Sequence, residues 1–129
     1  MIYFIKCQAN GNTFIKIGRA EDLKTRLGDL QVACPLELSV LEIFHTKDRN
    51  EDIELEGALH EEFKSKHERG EWFNFGDVRN EDFLIRSLKL ACKRVLARMT
   101  AKVKPVANLS SYRFGGILKN KKEWIKEKG

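Results

Sequence analysis

The chain has 129 residues, of which 42% are hydrophobic and 33% charged, and a formal charge of +5. That length suits one domain with one core, and two prolines and nine glycines exclude a collagen-like or proline-rich chain. No apolar run approaches the ~20 residues of a membrane span, and the opening Met1-Ile2-Tyr3-Phe4-Ile5-Lys6 lacks the apolar stretch of a secretion signal.

In chain order, Ile2–Ile5 is short, β-branched and aromatic, which predicts a strand. Asn10-Gly11-Asn12 is a turn signal, and Thr13–Ile17 alternates, so a second strand and an antiparallel hairpin follow. Leu23, Leu27 and Leu30 recur at helical spacing over residues 20–31, and Pro35 ends that element. Leu36–Phe44 reads as a third strand. Residues 51–67 read as a second helix with Ile53, Leu59 and Phe63 inward. Glu71–Phe75 is a last strand or an extended flap. Asn80 offers an N-cap for a third helix to about Met99, whose apolar stripe holds Phe83, Leu84, Leu88, Ala91, Val95 and Leu96. The fold class expected is α/β, more narrowly α+β: a small three-stranded antiparallel sheet flanked by helices.

Charge divides unevenly. Residues 1–77 hold 10 Lys and Arg against 15 Asp and Glu, a net of −5, whereas residues 78–129 hold 14 against 4, a net of +10. An acidic body of residues 1–77 thus carries a basic helix and extension over 78–129, a cue for a polyanionic partner. Cys7, Cys34 and Cys92 are odd in number and widely spaced, with no C-x-x-C pair. They read as small hydrophobes in a reducing cytoplasm rather than as a disulfide framework or a zinc site.

Several polar residues stand where a core alone does not need them. Tyr3 and Lys16 lie on strands that a hairpin brings to one face. Arg26 flanks the leucine stripe of the first helix. Glu56 and His60 are i, i+4 neighbours on the second. Singly, each has a plain structural reading: a packed tyrosine, a solvated Glu–His pair. Together, a phenol, an ammonium, a guanidinium and a carboxylate suit phosphodiester chemistry.

Their order resembles the GIY-YIG nuclease superfamily. Met1-Ile2-Tyr3 stands at the first motif and Lys16-Ile17-Gly18 at the second, Arg26 follows Gly18 by eight residues, and Glu56 lies on a later helix. The similarity is greatest to a branch found in phages and large DNA viruses, whose signatures here are Lys16-Ile17-Gly18, Glu56-Gly57-Ala58-Leu59-His60 and Glu71-Trp72-Phe73, with Gln31 after the first helix. Met1 replaces the first motif's glycine, and Lys16 replaces the second motif's tyrosine.

The resemblance implies a metal-dependent endonuclease hydrolysing phosphodiesters in DNA, with Tyr3, Lys16, Arg26, Glu56 and His60 as its catalytic set. Tyr3 would act as general base on water or as a relay to it. A phenol of pKa ~10 needs nearby positive charge for that work, supplied by Lys16, the metal or both. Glu56 would hold one hard divalent cation, Mg²⁺ or Mn²⁺. Arg26 would stabilise charge growing on the phosphoryl oxygens. His60 would orient water, contact phosphate or brace Glu56. Glu71 and Asn74 would support these groups, Glu71 by pairing with His60 or Arg26.

Arg19, Arg86, Lys89, Lys93, Arg94 and Lys102 are the expected contacts to the phosphate backbone. Tyr112, Phe114 and Trp124 are expected either to stack on unpaired bases or to anchor the tail to the core. DNA is the expected partner and RNA the alternative, with a second copy of the chain or a partner protein supplying specificity, and no membrane. The expected compartment is the cytoplasm, the host's if the source is viral. Two rival readings stand beside the enzyme: a catalytically silent nucleic-acid-binding module, and a viral protein-interaction factor whose basic helix meets an acidic partner.

Overall fold

The computed structural model describes residues 1–103. Strands β1 (Ile2–Ala9) and β2 (Asn12–Arg19) form the expected hairpin, each longer than its apolar signal. Asn10 and Gly11 join them with φ of 53° and 78°, the paired left-handed residues that a tight hairpin turn requires. The register sets Tyr3 opposite Gly18 and Ile5 opposite Lys16.

Helix α1 (Leu23–Val32) follows, capped by the Asp22 carboxylate, which accepts from the Thr25 amide. Next come β3 (Ser39–Phe44) and α2 (Arg49–Glu62), the latter capped in the same way by Asp48. A single 3₁₀ turn leads into β4 (His67–Arg69), β5 (Trp72–Asn74) and α3 (Glu81–Val103). Asn80 caps α3, its side-chain oxygen accepting from the Phe83 amide at 3.0 Å.

The class expected from the sequence holds, but the sheet has five strands rather than three. Their order is β3-β1-β2-β5-β4, every pairing antiparallel. Residues 71–75 supply a true strand against β2, not a flap. β4 gave no signal because His67, Glu68 and Arg69 are all exposed and polar. It exists because Gly70, at φ 57°, lets the chain double back on β5.

Residues Met1–Cys92 make one compact unit. Strand pleating gives it two apolar faces. On one, Tyr3, Ile5 and Cys7 pack with Leu38 under Leu23, Leu27 and Leu30 of α1, beside Phe14, Cys34 and Trp72. On the other, Ile2, Phe4, Ile15 and Ile17 are fully buried. Helix α2 packs against β1 and β2, and its fully buried apolar side chains are Leu55 and Leu59. Leu84, Leu88, Ala91 and Cys92 are the buried residues of α3 within this unit.

Two inward assignments are corrected. Ile53 is 44% exposed and Phe83 61% exposed, because Leu55–Leu59 and Leu84–Leu88 fix the buried faces of their helices. From Lys93, which opens a second unit, α3 continues to Val103. The side chain of Lys102, together with Tyr112, Phe114 and Trp124, lies outside the described residues. Burial raises the thiol pKa of Cys7, and that of Cys92 to about 12, so both behave as apolar filling. Among the described residues no helix is long and apolar enough to cross a membrane.

Candidate active site

The site grows from the paired ends of β1 and β2. Tyr3 is fully buried and its ring lies across Gly18. A Cβ at residue 18 would stand 2.4 Å from Tyr3 Oη and 2.6 Å from Cζ, closer than real Cβ contacts. Glycine is therefore required here by a neighbour's ring rather than by its own backbone angles. Gly18→Ala is expected to cost about 1–3 kcal/mol, as overpacking of a filled core does. Denaturant unfolding measures it, and a variant as stable as the parent would refute this packing.

Arg26 reaches the same ring from α1. Leu23, Leu27 and Leu30 turn inward, so Arg26 flanks the buried stripe, and its Nε donates to Tyr3 Oη at 3.3 Å. The side-chain cation in contact with Tyr3 is thus Arg26, whereas the sequence pointed to Lys16, a metal or both. Burial raises the phenol's pKa above its ordinary value. The Arg26 hydrogen bond and charge oppose that rise, and the Glu71 and Glu56 carboxyls add to it. On these residues alone Tyr3 holds its proton at neutral pH.

Lys16 has a different partner. Its Nζ lies 3.2 Å from Glu71 Oε1 and 5.6 Å from the centre of the Trp72 ring, and the residue is buried. The backbone explains this contact. The Ile17 amide donates to the Glu71 carbonyl at 3.0 Å, which draws residue 71 alongside β2. The expected pairing of Glu71 with His60 or Arg26 is therefore replaced by pairing with Lys16 and Glu56.

Glu56 and Glu71 form a hydrogen-bonded carboxyl pair. Burial and the Glu71 neighbour raise the pKa of Glu56. For Glu71 burial acts in the same direction, but the Glu56 hydrogen bond and the Lys16 charge outweigh it and lower its pKa. On acidification the pair therefore takes up its first proton at Glu56 rather than at Glu71. Arg19, at the end of β2, sets its Nε 3.1 Å from Glu56 Oε1. His60 Nε2 donates to the Ile17 carbonyl at 2.8 Å and lies 3.9 Å from Glu56 Oε2. Its ring centre is 5.0 Å from that of Phe73. Of the three expected roles, bracing suits this geometry best: the hydrogen bond to β2 fixes the stretch of α2 that carries Glu56.

The structure therefore brings Tyr3, Lys16, Arg19, Arg26, Glu56, His60 and Glu71 into one cluster. Asn74 is not part of it. It pairs across from Phe14, two residues farther along the strand, and its side-chain oxygen accepts from the Gly76 amide at 2.8 Å. Arg86 is exposed on α3, and Lys89 faces Glu42 of β3 at 3.8 Å. Lys93 and Arg94 are exposed within the second unit.

Among the described residues no group of three or more His, Cys, Asp or Glu side chains is arranged around a common metal position. A pair of neighbouring carboxyls nonetheless fits a hard cation. It offers oxygen donors and a charge to neutralise, and Mg²⁺ commonly takes only one or two carboxylates beside water and substrate phosphate.

Comparison with known proteins gives one family match: the model of the T5orf172 domain covers residues 1–96. No curated protein and no solved structure matches the chain.

Proposed function

The chain belongs to the T5orf172 domain family, and from that membership we propose that it is a metal-dependent endonuclease hydrolysing DNA phosphodiesters, in the manner its resemblance to GIY-YIG nucleases implies. The observation that carries this reading is the Arg26–Tyr3 contact at 3.3 Å beside the Glu56–Glu71 carboxyl pair. A cation-stabilised phenol next to two acids is costly to build for packing alone.

Glu56 would hold the cation, with Glu71 beside it. The bound cation supplies charge neutralisation at the scissile phosphate and a more acidic water. The chain's own groups do the rest. Arg26 presents its guanidinium to the equatorial phosphoryl oxygens, where negative charge grows. Tyr3 Oη would relay a proton, giving up its own as it takes one from water, and compensation of the Glu71 and Glu56 charges would remove their share of the rise in its pKa. Lys16 keeps Glu71 ionised and in place. His60 holds the Glu56 stretch of α2 to β2, and acts as a positioning residue.

The test is a nicking assay on supercoiled DNA with the full chain. Cleavage is expected with Mg²⁺ or Mn²⁺ and none in EDTA. Cleavage that persists in EDTA, or none with either metal on DNA or RNA, overturns the proposal. The silent-binder reading predicts equal DNA affinity with and without the metal and no product.

A further inference from the structure

We propose that Arg49 and Arg19 form a second anion subsite, which seats a backbone phosphate flanking the one placed at Glu56 and Arg26. The inference rests on the nucleic-acid reading above and adds the path of the strand across the surface.

The two arginines line an open recess of about 340 Å³ with Ala20, Glu21 and Asp52. That is the share of liquid taken by roughly ten waters, enough for one phosphate with part of its hydration. Its place follows from the helix. Arg49, Asp52, Glu56 and His60 are spaced i, i+3, i+7 and i+11, which puts them on one face of α2. At 1.5 Å per residue, Arg49 stands about 10 Å along the axis from Glu56, roughly three nucleotides of duplex rise. Arg19 spans the gap, since it lines the recess and also touches Glu56 at 3.1 Å.

The charges in the recess favour an anion. Asp52 is already satisfied: its Oδ2 lies 2.8 Å from the Met1 ammonium, and its other oxygen accepts from the Thr46 hydroxyl. Those contacts more than offset burial and lower the pKa of its carboxyl. Arg49 is exposed and makes no ion pair among the described residues. Glu21, exposed at the rim, is the remaining opposing charge. A planar guanidinium with no partner, beside a second one, suits the paired oxygens of a phosphodiester.

The experiment measures binding of the full chain to a labelled DNA duplex in EDTA over a series of salt concentrations, by fluorescence anisotropy. Losing one phosphate contact predicts about fivefold weaker binding for Arg49→Gln at physiological salt, and a log–log salt slope shallower by about one. Arg49→Lys is expected to keep the slope. Arg79→Gln, which removes the same charge from an exposed arginine paired with Asp77, is expected to change little. A parental slope in Arg49→Gln, or an equal loss in Arg79→Gln, overturns the subsite and leaves the nuclease reading standing. A parent chain that binds no DNA at any salt overturns the subsite, and the nuclease reading falls with it only if the same chain also fails to nick DNA with Mg²⁺ or Mn²⁺.

Discussion

Glu56→Gln is expected to lower DNA cleavage about a thousandfold or more at saturating Mg²⁺, a loss of at least ~4 kcal/mol from the transition state. The substitution separates chemistry from folding. Of the two neighbouring carboxyls, Glu56 is the one that keeps a proton to higher pH. A glutamine amide also donates to Glu71, so the pair, the Lys16 contact and the helix all persist. The anionic oxygen that would hold the cation does not. Single-turnover cleavage and thermal unfolding measured together make the test: unchanged stability with lost cleavage is expected, and retained cleavage removes Glu56 from the mechanism.

The same pair sets a pH dependence. Burial and the Glu71 neighbour raise the pKa of Glu56, so its protonated form persists to higher pH than for an ordinary glutamate. That proton must leave before a cation binds. Cleavage at limiting Mg²⁺ is therefore lost as pH falls through the raised pKa, and excess Mg²⁺ moves that acid limb to lower pH.

Arg26→Ala is expected to reduce kcat about 10²–10³-fold, the usual effect of deleting one preorganised donor at an oxyanion. Arg26→Lys should restore only part of this, because an ammonium is a point charge without the guanidinium fork. Neither change should harm the fold greatly. Arg26 lies on α1, which contributes no fully buried side chain, and its hydrogen bond to Tyr3 is a single contact. Steady-state kinetics are the readout. Equal falls in kcat and kcat/KM mark an interaction made in the transition state, whereas a rise in KM alone would reduce Arg26 to a phosphate grip.

How much of this was legible in the sequence depends on how local each signal is. The β1–β2 hairpin was readable because Asn10-Gly11 encodes its own turn, and the Asn80 cap because its amide contact is three residues away. Both β4 and the outward turn of Ile53 and Phe83 escaped. A polar edge strand is made by its partner, and a helix's buried face is chosen by whichever apolar pair the sheet accepts.

The site divides in the same way. Tyr3, Arg26, Glu56 and His60 were visible as spaced residue types that structure brings together. The partners of Lys16 and Glu71 were not, because they depend on the Ile17–Glu71 backbone pairing across more than fifty residues. Arg49 carried no motif at all. Its face is defined only by counting back two turns from Glu56.

The Tyr3 ring resting on Gly18 has a consequence for how this site can change. The two motifs read as separate tripeptides, yet they are one interlocked piece. In a double-mutant cycle positions 3 and 18 are coupled rather than additive: the added methyl has nothing to strike once the ring is gone. Substitution is therefore ordered. A side chain at residue 18 carries its full packing cost while the tyrosine stands, and loses most of it once the ring is gone. Loss of the Tyr3 ring thus makes the loss of Gly18 cheap, whereas the reverse order meets the packing cost first.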